Sequence, residues 1–188
     1  MVLELIKNRW SPVSFSEKMI EDEKLKDILE AARYAPSSMN EQPWLFVLTT
    51  RDEKEAFDNI VELLNEGNRV WAKYCSAFIV SFARKKHDYN QKANRYFFFD
   101  TGMAVSNMLH QATNDGIFAH QMGGFSVEKA REYFLTGEDT EPVAIMALGY
   151  PGNGSGLTEE IYLRDSKRRP RKDLSEYAFR NKINNPAF

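Results

Sequence analysis

Cysteine is almost missing from this chain of 188 residues, which carries one, Cys75. An internal disulfide framework and a multi-cysteine metal site are therefore excluded. Cys75 opens the apolar run Cys75-Ser76-Ala77-Phe78-Ile79-Val80, so its thiol is expected to be buried and inert. Histidine is scarce too. His87, His110 and His120 stand at no zinc-helix spacing, and no metal is expected. No stretch approaches the ~20 apolar residues of a membrane span. The N-terminus, with Lys7 and Arg9, lacks the apolar stretch of a signal peptide. No membrane partner is expected, and a cytoplasmic location is the default. Neither charge sign dominates: 25 Lys and Arg face 27 Asp and Glu, a formal net charge of -2. Without a global basic field, nucleic acid is not an expected partner. The G-x-S-x-G elbow, the phosphate loop and the G-x-G-x-x-G fingerprint are all absent.

What is present suits one folded domain. Hydrophobic residues make up 43% and charged residues 28%, enough for a sizeable core. A short apolar start stops at Pro12. Asp22 can cap a helix whose buried face is Leu25, Ile28, Leu29 and Ala32, and which ends before Pro36. Trp44 to Leu48 reads as a strand. Asp52 can cap a helix buried through Phe57, Ile60, Val61 and Leu64, and Gly67-Asn68 breaks it. The nearly continuous apolar run at 76–83 predicts an interior strand. Residues 84–95 form a solvated, basic loop, and 93–114 a long helix. Ala104, Val105, Met108, Leu109 and Ala112 line one side of that helix, with Phe97, Phe98 and Met103 widening its apolar surface. Asp100 and Asp115 read as solvated or capping residues. Gly116 ends the helix, Ser126 caps another that runs to about Leu135, and Val143 to Leu148 is the last clear strand. Helices alternate with isolated strands, which predicts an α+β domain of three layers, with helices on both faces of a small mixed sheet.

The segment Pro151-Gly152-Asn153-Gly154-Ser155-Gly156 reads as a flexible linker. It divides a main unit, 1–156, from an extension of the same domain, 157–188, with too few apolar residues for its own core. Three polar clusters remain as candidate sites: Arg9-Trp10-Ser11, the loop from Pro36 to Gln42, and the basic run Lys167, Arg168, Arg169, Arg171 and Lys172. Arginine forks beside serine hydroxyls suit a phosphate, but each cluster also reads as a solvated surface patch.

Arg9-Trp10-Ser11 resembles the N-terminal R-R/x-S segment of the nitroreductase family of flavoproteins. Residues 32–44, ARYAPSSMNEQPW, resemble that family's A-x-x-A-P-S-x-x-N-x-Q-P-W stretch. Gly116 to Phe125 is similar to its G-L-x-x-x-x-x-G-G-F segment, and Pro142 to Tyr150 to its last core strand. Arg168, Arg169, Arg171 and Lys172, ahead of Leu174, resemble its basic C-terminal stretch. The likeness covers nearly the whole chain in order. The departures are Trp10 in place of a second arginine, a short chain, residues 84–95 in place of a larger covering segment, and His120-Gln121-Met122.

The resemblance implies an intertwined homodimer that binds FMN non-covalently at its interface. It implies NAD(P)H as donor and a small conjugated acceptor, a nitroaromatic or a quinone, in a ping-pong scheme through the flavin N5. Arg9, Arg169 and Arg171 would neutralise the FMN phosphate, with Arg168 as a substitute and Trp10 adjoining. Ser11 would donate a hydrogen bond to it. Pro36, Ser37 and Ser38 would shape the turn that lets Asn40 face the ring or ribityl chain. Asn68 would lie near the isoalloxazine, and Gly123 and Gly124 would let the backbone approach it. Phe98 and Phe125 could serve as pocket aromatics or as core. The helix 93–114 would centre the dimer, and the extension would wrap the partner. No catalytic side chain is implied, since the flavin supplies the redox chemistry. Two other readings stay open: a flavoenzyme acting on a specialised substrate without a nicotinamide donor, and a flavin-binding protein with little turnover.

Overall fold

The computed structural model describes residues 1–166 and 169–188, with side chains described outside 164–168. Four strands build one sheet: β1 (Trp44–Thr50), β2 (Ala77–Arg84), β3 (Phe118–Met122) and β4 (Thr140–Gly149), in the order β1-β2-β4-β3. Around them lie α1 (Glu4–Asn8), α2 (Asp22–Ala32), α3 (Lys54–Leu63), α4 (Glu66–Ala72), α5 (Phe97–Asn114), α6 (Val127–Tyr133) and α7 (Glu159–Ser166).

The strand period of two sorts each strand's side chains between two cores. On one face Phe78, Val80, Phe82, Ile145 and Ala147 meet Phe57, Ile60 and Val61 of α3, Trp71 and Ala72 of α4, and Ala130 of α6. On the other, Ala77, Ile79, Met146 and Leu148 meet Leu25, Ile28 and Ala32 of α2 and Ala104, Met108 and Ala112 of α5. Helix, sheet and helix make the three expected layers. β2 is buried from Ala77 to Ala83 because both faces are covered, which explains its unbroken apolar run.

The mixed sheet expected from the sequence is antiparallel at each of its three pairings among the described residues. Topology explains the difference. Two helices, α3 and α4, lie between β1 and β2, where a parallel crossover would use one, and β2 returns antiparallel. β2 and β3 do run the same way, joined through α5, but β4 inserts between them and removes the parallel contact.

Other differences are local. Glu21 and Glu53 occupy the N-cap positions expected for Asp22 and Asp52, and neither makes a side-chain cap bond. Gly67-Asn68 does not break a helix but lies inside α4, where the buried Trp71 indole donates to the Gly67 carbonyl at 3.0 Å. Segment 151–156 is packed rather than a loose linker. Gly152 and Gly154 donate to the Ser14 carbonyl and hydroxyl at 3.0 and 2.7 Å. A Cβ on Gly152 would stand 2.4 Å from the Phe15 carbonyl oxygen. Ser126 caps α6 as expected, accepting from the Lys129 amide. Cys75 is fully buried, and burial pushes its thiol pKa well up, so it is protonated and unreactive. Among the described residues no helix is long and apolar enough to cross a membrane.

Candidate functional site

The candidate residues fall into two groups at opposite edges of the sheet. The first gathers where β3 ends. Asn65 and Asn68 of the α4 segment meet Gly124: the Asn65 amide donates to the Gly124 carbonyl at 2.9 Å, and Asn68 Nδ2 donates to the same oxygen at 3.1 Å. A Cβ on Gly124 would stand 2.8 Å from Asn68 Nδ2 and 3.3 Å from Asn65 Nδ2, so the missing side chain admits those amides. A Cβ on Gly123 would meet nothing within 4 Å. Its backbone face is open.

The N-terminal segment runs beside β3 and joins this group. His120 of β3 places Nδ1 2.8 Å from the Pro12 carbonyl oxygen, so that nitrogen carries the proton. The His120 ring lies on Trp71, with centroids 4.6 Å apart. Just upstream, Arg9 Nη1 donates to Ser11 Oγ at 2.8 Å, and both side chains are half-buried, as is Trp10. Because Ser11 accepts from Arg9, its hydroxyl proton remains available to donate. The pair offers donors and positive charge, the chemistry a phosphate requires. The open backbone at Gly123 suits a flat ring.

The second group is the turn before β1. Ser37 Oγ accepts from the Gln42 amide at 3.0 Å, and the Ser38 amide donates to Asp100 Oδ2 at 3.0 Å. Met39, Asn40 and Gln42 are left-handed, at φ 55°, 56° and 48°. Such a conformation costs a non-glycine residue roughly 1–2 kcal/mol, so surrounding contacts must hold the turn. Gln42 Nε2 donates to Asn40 Oδ1 at 3.2 Å. Pro36 and Asn40 are exposed, while Ser37 and Ser38 are half-buried. Glu41 carries the turn to the 84–95 loop: its carboxylate accepts from the Asp88 amide and lies 3.5 Å from His87 Nδ1. Met39, Asn40, Glu41, Asp88 and Tyr89 line a cleft of about 420 Å³ between the two.

The two groups do not meet within one chain. They sit at the β3 and β1 edges, three strand spacings or about 14 Å apart across the sheet. Asn68 belongs to the α3–α4 layer, whereas Ser38 is joined to α5 in the other layer. Of the basic run, Arg169 and Arg171 are exposed, and Arg168 lies outside the described residues along with Lys167. Phe125 is a core residue, 8% exposed, while Phe98 is 52% exposed on α5. Asp100, expected to be solvated or capping, is buried at 2% exposure. Asn65 is the side chain here that sequence reasoning did not single out; Glu41 was read only as part of its loop. Among the described residues no cluster of three or more His, Cys, Asp or Glu could hold a metal ion.

Comparison with known proteins gives this arrangement its context. The chain resembles a solved structure described as an oxidoreductase containing FMN, with a TM-score of 0.89 and 33% identity, covering 98% of this chain and 94% of that one. An uncharacterized 15.4 kDa protein of Mycolicibacterium smegmatis is 33% identical over 70% of this chain and 87% of its own length. A protein of Methanothermobacter thermautotrophicus, provisionally named NADH dehydrogenase/NAD(P)H nitroreductase, is 28% identical over 84% of this chain and 81% of its own. A profile of the nitroreductase family matches residues 6–150. The chain belongs to the nitroreductase family, and it is an oxidoreductase of that flavoenzyme class.

Proposed function

We propose that this chain works as a homodimeric, FMN-dependent oxidoreductase that takes electrons from NADH or NADPH and passes them to small conjugated acceptors such as nitroaromatics and quinones. One observation carries the reading: two cofactor-compatible groups lie at opposite edges of one sheet. In a symmetric dimer the β3-edge group of one chain can meet the turn at 37–42 of the other, giving two equivalent sites. The FMN-containing structure and the Methanothermobacter thermautotrophicus protein provisionally named NADH dehydrogenase/NAD(P)H nitroreductase support the cofactor and the donor.

FMN, when bound, would supply the redox chemistry, two-electron transfer between a dihydronicotinamide donor and the acceptor. The chain's own residues bind and orient. Arg9 and Ser11, with Arg169 and Arg171, hold the phosphate by charge and by donated hydrogen bonds. Gly123 and Gly124 let the backbone lie against the ring, with Asn68 bracing Gly124. Ser37 and Ser38 shape the turn that presents Asn40 from the second chain. The tail from 157 onward, whose described side chains are largely exposed in the single chain, wraps the partner. Donor and acceptor use one open face in turn, a ping-pong sequence that needs no side-chain nucleophile.

The test is an anaerobic titration of the purified protein. It should be yellow, bleach with NADH or NADPH, and regain its colour when a quinone or nitroaromatic is added. A flavin that neither nicotinamide bleaches would count decisively against this reading.

A further inference from the structure

We propose that Asp100 is a positioning residue for the cofactor site, acting through the Ser38 amide; this rests on the proposed FMN function. Asp100 lies in the first turn of α5, where an acidic side chain is favoured by the helix dipole. The position does not expose it: 2% of its surface meets solvent. Among the described residues it forms no ion pair with Lys, Arg or His. A buried carboxylate with no cationic partner is costly to keep, and a side chain of its size could instead pack as an apolar residue. What it does here is specific. Oδ2 accepts the Ser38 amide at 3.0 Å, 62 residues away in sequence.

The turn it holds is a strained one. Met39, Asn40 and Gln42 are all left-handed without being glycine. The bonds from Asn40 to Ser37, Glu41 to Ser38 and Gln42 to Ser37 lie inside the turn. Glu41 reaches the 84–95 loop, where its carboxylate meets the Asp88 amide and the His87 ring, and that loop is not a core element. Asp100 ties the turn to a core helix whose buried apolar residues Ala104 and Met108 pack against the sheet. The carboxylate therefore sets where Asn40 stands relative to the second chain. An internal bond could keep the turn's shape but could not set its place. The consequence is a cofactor affinity that depends on a residue shielded from the cofactor by the turn itself.

The experiment compares Asp100→Asn, Asp100→Ala and Asp100→Ser with wild type. It measures FMN affinity by fluorescence quenching, the visible circular dichroism of bound FMN, and thermal unfolding of the apoprotein. Asp100→Asn keeps an oxygen acceptor and should bind within about threefold of wild type. Asp100→Ala should bind at least about tenfold more weakly, with an altered flavin dichroism. Asp100→Ser, whose hydroxyl stops short of Ser38, serves if the alanine variant does not fold, and should show the same loss. A structural role alone would lower the unfolding temperature and leave affinity and dichroism of the folded fraction unchanged. That outcome overturns the proposal. Wild-type protein that takes up no FMN ends the function reading itself, and is told apart by the control.

Discussion

Asn68 donates to the Gly124 carbonyl at 3.1 Å, and its Nδ2 occupies the space beside which a Gly124 side chain would have to stand. The neighbouring glycine is different, since nothing lies within 4 Å of a Cβ on Gly123. The two substitutions should therefore separate folding from binding. Gly124→Ala displaces the Asn68 amide and should cost about 0.5–1.5 kcal/mol, the worth of one neutral hydrogen bond, together with weaker FMN uptake. Gly123→Ala should leave the apoprotein's unfolding temperature unchanged and weaken FMN alone, because the methyl group stands on the open backbone face. Thermal unfolding with and without FMN reads both. Wild-type affinity in Gly123→Ala would show that this face does not meet the ring.

If the site is shared between chains, defects on its two sides should complement. One tagged chain would carry Asn40→Ala and the other Gly123→Val. Each homodimer has both sites damaged. In the heterodimer one site holds both lesions and the other holds neither, so the mixed species should bind half the wild-type flavin with wild-type affinity. Flavin absorbance of the doubly purified heterodimer measures this. Equal damage in the heterodimer and both homodimers would mean that each site is built from one chain.

Parts of this arrangement could be read from the residues alone. β2 and β4 announced themselves as apolar runs because both faces of the sheet are covered. α4 did not, because Gly67 and Asn68 are poor helix formers, and the segment is held by the buried Trp71 and by the Asn68–Gly124 bond, contacts made far away in sequence. Asp100 reads as solvated or capping when taken alone, although a signal of burial is present. It lies four residues before Ala104, eight before Met108 and twelve before Ala112, on the buried row of α5. An acidic residue on an apolar helical row implies burial with a partner. The Arg9–Ser11 pairing was legible as a cluster, but its place beside β3 depends on the His120–Pro12 contact, which no spacing reveals.

Arg171 tests the phosphate assignment. It is exposed in the single chain, so its removal should leave the fold unaffected. Arg171→Ala should weaken FMN by about 1.5–3 kcal/mol through loss of a charge-assisted hydrogen bond. The loss should shrink as salt rises, since an exposed pair is screened. Riboflavin, which lacks the phosphate, should bind the variant and wild type alike. A variant that weakens riboflavin equally would place Arg171 away from the phosphate.

Acid sensitivity should trace to a surface network at the far end of β4. The Tyr150 hydroxyl donates to Glu21 Oε2 at 2.5 Å, and Lys24 Nζ reaches that hydroxyl at 2.7 Å. Lys18 lies over the Tyr150 ring, 3.9 Å from its centre. The Tyr150 hydroxyl first, then Glu21's own amide and Lys18, hold the Glu21 carboxyl down at about 2, from an ordinary 4.5. A depressed carboxyl pKa means that folding favours the ionised form. The contribution is therefore complete above 4.5 and is lost as the pH falls towards 2. Glu21→Gln should lower the unfolding temperature slightly at neutral pH, because the group is solvent-exposed and screened. The gap from wild type should narrow below pH 4.5 and close only below pH 2, where Glu21 too is protonated and both side chains are neutral. Calorimetry across that range checks it. A gap that persists unchanged to the acid end would mean that Glu21 acts through shape rather than charge.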